Sequence, residues 1–544
     1  MKRNLLAVSL ITLSCLYGVL AAVIIAVFLL TGLPISIGLI ISLIIVVVQF
    51  LIAPAINDFV FKHLYHCKWD YQVPDYLREF IEQECSKYNM KFPKIGFIDD
   101  GSPNAFTYGR TKNDARVVFS RGIIDLLTPE EVKAVIAHEL GHAVHYDMLF
   151  MTVAQIVPLV LYYVADLLLN VGGGSSRSSS SSSNDSGGNY AALIGLISYI
   201  LYLISQYIIL WLSRTREYYA DSFSVEETKD PSSLARALIK IGFGLSIGDK
   251  NNEENSKLTK GNALGINNAK VSKGIAISAY NNGGVSKEAV INAMKWERWN
   301  YWAKLVELNS THPLISKRLL AISDRCEEFG QERYIEFNEE KPESYADDFF
   351  IELGLCILPI VIIFATMVAA FICGSSRVCS PLIPVGVGGM LLVGSLFILL
   401  NRSHKNKDYR ETNVSELLSE VKVSNVTSIP CILHGKIIGR GNPGCVFNED
   451  FVLQDDTGII FLDYNQPLTI INKIFALFKS KEYFDKEVTI KGWYRRSTAP
   501  YVEIYSMLYD GQEKKCHTYM TTKVLYAILL GLSVASIFAG FGIL

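Results

Sequence analysis

Apolar residues gather in seven long stretches of this chain, at 5–30, 35–52, 148–169, 190–212, 350–373, 382–401 and 523–543. A hydrocarbon core about 30 Å thick takes roughly 20 apolar residues in a helix, so the pattern predicts about seven transmembrane helices. Lys2 and Arg3 ahead of the first stretch resemble the start of a signal peptide. The apolar core behind them is too long for one, and a second span follows almost at once.

Polar positions divide the remainder. Residues 53–147 and 213–345 read as one domain, 53–345, interrupted by a transmembrane hairpin at 148–212; residues 1–52 and 346–401 form further hairpins. A second polar domain, 402–522, is tethered between the sixth span and a final helix, 523–544. Two low-complexity segments, the glycine/serine loop 172–189 and an asparagine- and lysine-rich stretch around 249–285, read as surface loops, and no internal repeat is visible. In the first domain, "TPEEVKAVIAHELGHAVHYD" (128–147) has a helical period. Thr128 stands at N-cap, Pro129 at the first helical position and Glu131 three residues on, which makes a capping box. In the second, "CILHGKIIGRG", "EDFVLQDDTGIIFLDY", "KEVTIKGWYRR" and "PYVEIYSM" alternate between the turn signals "NPG" and "DDTG", with a helix-like "TIINKIFALFKS" in their midst. That order predicts a small barrel of the OB type. The fold class is therefore a mostly α membrane protein with a small C-terminal OB-like β-barrel.

Composition sharpens this. Half of the residues (50%) are apolar and only 19% charged, which excludes an ordinary soluble enzyme. The net charge of −2 gives no global field favouring nucleic acid. Lysine and arginine flank the spans unevenly: Lys62, Lys68, Arg214, Arg216, Arg402, Lys405, Lys407, Lys514, Lys515 and Lys523 lie on one side, while the opposite loops are nearly uncharged. The excess marks the cytoplasmic side. The N-terminus and both polar domains are expected there and the C-terminus outside, in a multi-pass protein of the plasma (inner) membrane. Ten cysteines are scattered without metal-binding spacing, and Cys373 and Cys379 flank an outer loop where they can pair.

The chemistry lies in "AHELGHAVHYD". His138 and His142 are four residues apart, one above the other on a helix face, a spacing that lets two imidazoles meet one Zn²⁺. Glu139 projects beside them as the base for an attacking water. Gly141 costs the helix about 1 kcal/mol against alanine; a close approach by substrate or a neighbouring strand explains it, and so does a small packing residue. His145 lies about 10.5 Å along the axis from His138, too far for one straight helix to bring all three rings to one centre. The third ligand is expected from "REYYAD", where Glu217 and Asp221 are again four apart: Glu217 on the metal, Asp221 on the free ring N–H of a ligating histidine. The bland alternative is a solvated face with Arg214 or Arg216 paired to Glu217.

These motifs resemble the integral-membrane zinc metallopeptidases of the HtpX and CAAX prenyl protease type, gluzincins that pair a helical H-E-L-G-H with a downstream E-x-x-x-D. The resemblance covers roughly residues 50–330. It implies a zincin-like cytoplasmic domain of helices and a small sheet, one Zn²⁺ per chain, and proteolysis of peptide or membrane-protein substrates at the bilayer. "PNAFTYG" (103–109) matches the family element in which an edge strand near Asn104 and Ala105 aligns the substrate backbone. In "STHPLISKR" (310–318), the family implies that His312 stabilises the oxyanion and Arg318 supports the site.

The C-terminal barrel departs from that family. Arg440, Trp493, Tyr494, Arg495 and Arg496 would make a basic, stacking surface for single-stranded nucleic acid. Membrane tethering and the acidic Glu449, Asp450, Asp455 and Asp456 oppose this, so no nucleic acid is expected and a protein-interaction or gating module is favoured. The competing function, a catalytically silent scaffold acting through the barrel, has no use for a complete metal motif. Damaged membrane proteins and prenylated proteins are the two substrate classes in view, and no residue reads a prenyl group.

Overall fold

The computed structural model describes residues 2–31, 35–173, 186–247, 280–281, 284–375, 380–406, 408–441, 449–497 and 499–542. Most of the glycine/serine loop, most of the 249–285 stretch, the "NPG" turn and Cys379 lie outside the described residues; Cys373 is disulfide-bonded. The chain divides into two compact units: Met1–Ile241 with Lys257–Asn268 and Glu307–Glu336, and Gly242–Ser256 with Ala269–Val306 and Phe337–Leu544.

The first unit is helical around a small sheet. Its helices include α1 (Lys2–Thr31), α2 (Ile35–Leu64), α3 (Asp75–Lys87), α4 (Arg121–Leu126), α5 (Pro129–Val144), α6 (Asp147–Gly173) and α7 (Ser186–Thr228). Its strands are β1 (Lys68–Trp69), β2 (Lys94–Ile98), β3 (Ala105–Tyr108) and β4 (Arg116–Ser120), in the order β1-β2-β4-β3. β2 and β4 run parallel, and β3 pairs antiparallel with β4, placing Ala105 opposite Phe119 and Thr107 opposite Val117. That leaves β3 as an edge strand. Apolar residues of α1, α6 and α7, among them Leu16, Leu20, Val157, Leu161 and Leu212, form one buried cluster.

Six helices among the described residues are long and apolar enough to cross a membrane: Leu5–Val27, Asp147–Leu169, Ala192–Thr228, Ala346–Gly374, Leu382–Ser403 and Thr518–Gly540. The remaining expected span, 35–52, falls on α2, where the side chains of 35–43 lie outside the described residues. The protein is an integral, multi-pass membrane protein.

In the second unit, five strands close a barrel. Ile429–Arg440 pairs antiparallel with Phe451–Gln454, and that strand with Ile459–Asp463. Ile459–Asp463 pairs parallel with Pro500–Tyr509, which returns through Glu487–Arg496 to the first strand. The strand order 1-2-3-5-4-1, with the helix Thr469–Phe478 between the third and fourth strands, is that of an OB-type barrel.

The suggested basic surface is not one. Arg440, Trp493, Tyr494, Arg495 and Arg496 are all buried. Arg440 donates to the Ala476 carbonyl and Ser480, Arg495 to Glu503 and the Asn425 carbonyl, and Arg496 to the Leu418 and Ala293 carbonyls. The Trp493 indole N–H donates to the Lys405 carbonyl. Buried guanidinium groups call for internal partners, and these find theirs chiefly on the helices Thr469–Phe478, Val414–Ser419 and Lys287–Trp299, which they tie to the barrel.

Candidate active site

The site begins with the start of α5. Thr128 Oγ1 accepts from the Glu131 backbone N–H at 3.4 Å, and Glu131 Oε2 accepts from the Thr128 N–H at 3.0 Å, the reciprocal pair of a capping box. Glu131 is buried and also takes Lys240 at 2.8 Å and Arg236 at 3.2 Å. The next two turns are almost wholly buried, so His138 and Glu139 face the interior. A Cβ on Gly141 would stand 3.1 Å from Phe223 Cβ and Cδ1. Gly141 is therefore a packing residue, and its missing side chain lets α7 approach α5.

That approach brings three donors together. His138 Nε2 and His142 Nε2 lie 3.2 Å apart, with Glu217 Oε2 3.6 Å from the first and Oε1 3.7 Å from the second. Two bonds of about 2.0–2.1 Å at a tetrahedral angle separate their donors by about 3.4 Å, so the triangle has the size of a zinc site. Glu217 Oε2 is buried and has no hydrogen-bond partner among the described residues. Arg318 Nη1 stands 3.5 Å from that oxygen as an ion-pair partner, which leaves its hydrogen-bonding capacity unmet, a costly state that a metal ion at the centre of the triangle would relieve. Burial holds the His138 pKa below its ordinary value, which favours the neutral imidazole that ligates metals. The residues fit a metal ion.

Around the triangle stand two Asp–Arg pairs. Asp221 Oδ1 is 3.0 Å from His138 Nδ1, and Arg318 grips the same carboxylate with Nε at 2.8 Å and Nη2 at 2.6 Å. Asp147 Oδ2 is 2.6 Å from His142 Nδ1, and its other oxygen accepts from Arg216. Arg216 also donates to Ser9 of α1 at 2.7 Å and to the His145 carbonyl at 3.0 Å. The sequence offers Arg216 only as a flanking basic residue or a partner of Glu217, and gives Asp147 no role; the two are instead paired with each other. The signal was a carboxylate five residues past the second histidine, hidden by a helix break: Tyr146, at a φ of 60°, turns the chain between α5 and α6.

The other expected residues fall as follows. His145 packs its ring edge-on against Phe223, away from the triangle, with centroids 5.7 Å apart. Arg214 donates to the Glu307 and Ser310 carbonyls, both at 2.8 Å. It thus pins the loop carrying His312, whose Nε2 lies 3.4 Å from Glu217 Oε1. Glu139 is 2% exposed. Burial first of all pushes its carboxyl up to about 7, while His142 and Thr107 of β3 pull it part of the way back. Asn104 and Ala105 are buried at the start of that strand, and Ser120 fixes Asn104 through its backbone N–H at 2.8 Å.

A buried H-E-x-x-H helix facing a carboxylate from a membrane-crossing helix defines a membrane metalloprotease. Residues 72–326 match the profile of peptidase family M48. A protease HtpX homolog of Methanothermobacter thermautotrophicus is 36% identical over 202 residues, covering 37% of this chain and 71% of that protein. A protease HtpX homolog of Aeropyrum pernix is 30% identical over 291 residues, 53% of this chain and 85% of the relative. The crystal structure of S. mikatae Ste24p aligns with a TM-score of 0.33 and 19% identity, covering 58% of this chain and 65% of that one. The chain belongs to peptidase family M48.

Proposed function

We propose that the protein is a zinc endopeptidase cutting loops and juxtamembrane tails of membrane proteins at the cytoplasmic face of the plasma membrane, in quality control or processing. The observation that carries this is the His138–His142–Glu217 triangle with Glu139 beside it. When bound there, Zn²⁺ supplies Lewis-acid polarisation of the scissile carbonyl and of water.

The chain's own residues do the rest. β3 offers its free edge to an extended substrate backbone, as in β-strand addition, with Asn104 and Ala105 at its start. Glu139, with a carboxyl near 7, takes a proton from the attacking water and passes it to the leaving amine. His312 donates to the carbonyl oxygen as charge builds on it, held in place by Arg214 and Ser310. Asp221, backed by Arg318, fixes the ring of His138.

The test is metal content and cleavage of casein or a membrane protein by the wild type and by Glu139→Gln. The variant should retain about one zinc and lose about 10²–10⁴-fold in rate. Equal rates in the two would overturn the role of Glu139, and a wild type without zinc would overturn the metal assignment.

A further inference from the structure

The helix Thr469–Phe478, between the third and fourth barrel strands, is amphipathic the wrong way round for a soluble domain. Its inward stripe is Asn472, Phe475 and Ala476. Its outward stripe is Ile470, Ile471, Ile474, Leu477 and Phe478, with Ile470 66% and Phe478 76% exposed. These positions follow the i, i+4, i+8 spacing of one helix face. Apolar patches of this kind on soluble domains mark contact surfaces. At about 15 Å long, the helix is far too short to cross a bilayer.

What covers the stripe is indicated by how the helix is anchored. Asn472 Oδ1 accepts from the Gln466 backbone N–H at 2.8 Å. Gln466 Nε2 donates to the Lys515 carbonyl at 2.9 Å, and its Oε1 accepts from the His517 N–H at 3.2 Å. The Asn465 carbonyl accepts from Thr518 Oγ1 at 2.8 Å. His517 and Thr518 are the N-cap and first residue of the membrane-crossing helix Thr518–Gly540. The lead-in to the short helix is therefore bonded to the point where the chain enters the bilayer. Exposed Lys473 and Lys479 flank the apolar stripe, complementary to anionic headgroups.

We propose that Thr469–Phe478 lies in the plane of the membrane interface with its outward apolar stripe in the lipid, a third attachment of the barrel beside its two tethers. The barrel is thereby held down on the bilayer.

The full-length protein in nanodiscs containing a phospholipid with a photoactivatable acyl chain tests this, with adducts mapped by mass spectrometry. Peptides covering 469–478 should carry lipid adducts at a yield comparable to Thr518–Gly540 and well above the polar strand Gln512–Lys515. Ile470→Asp with Ile474→Asp should lower the helix adducts to the level of that strand while span labelling persists. Labelling of the spans with none on 469–478 in the wild type would overturn the proposal, as would its cross-linking to a second copy of the chain. The wild-type pattern decides the matter even if the double variant fails to fold.

Discussion

Asp147 is hydrogen-bonded to the ring of His142 from behind, its Oδ2 2.6 Å from Nδ1, and Asp221 stands 3.0 Å from the corresponding nitrogen of His138 as an ion-pair partner outside hydrogen-bond geometry. Each aspartate carries its own buried arginine, Arg216 in one case and Arg318 in the other. The two imidazoles are thus backed by two separate Asp–Arg pairs. One is anchored on α1 through Ser9, and the other reaches from the helix Ile315–Ser323.

Asp147→Asn should therefore weaken metal binding or activity by about 10–100-fold without removing a ligand, the usual effect of losing an outer partner of a metal-bound histidine. Metal titration against a chelator checks it. An affinity equal to wild type would show that Asp147 serves only Arg216.

Arg318→Met leaves the Asp221 carboxylate buried without its fork, which should cost about 3–5 kcal/mol of stability. Arg318→Lys keeps the charge but not the two parallel hydrogen bonds, so an intermediate loss is expected. Thermal unfolding in detergent of all three proteins reads the order directly.

Gly141→Val puts methyl groups where Phe223 already stands 3.1 Å from an ideal Cβ. Overpacking of this kind costs about 1–3 kcal/mol, and it pushes α7 away from α5. Metal affinity should fall together with stability in parallel titration and melting experiments, because Glu217 rides on the displaced helix.

In the barrel, burial and then the facing Asp463 push the Asp450 carboxyl from 3.8 up to about 8. A carboxyl with a raised folded pKa takes up a proton on folding. Its contribution is complete below about 4 and is lost as pH climbs through 8. The barrel should melt at a lower temperature at pH 9 than at pH 6, and Asp450→Asn should flatten that slope. Fluorescence of the buried Trp493 reports the transition.

Much of this was legible in the residues. The capping box, the i, i+4 histidines and the Glu217–Asp221 pair rest on helical periodicity, which is local. The barrel order followed from alternation and turn residues. Asp147 was not legible because its placement depends on one residue, Tyr146, adopting a positive φ that no local rule predicts for tyrosine. The surroundings of the "WYRR" run (493–496) were not legible for another reason. Alternation says which residues share a face, but not that the outer face is itself covered, as Arg496 is by the Leu418 and Ala293 carbonyls. Gly141 left two explanations open until Phe223 was seen against it.

α7 runs unbroken for 43 residues, from an apolar stretch through Glu217 and Asp221. It works as a stiff rod with its greasy end in the membrane and its other end bearing one corner of the His138–His142–Glu217 triangle. Any change in lipid length that tilts or slides this rod moves that corner by the same amount. Turnover should therefore track bilayer thickness, which would make the enzyme a gauge of the medium in which its targets sit.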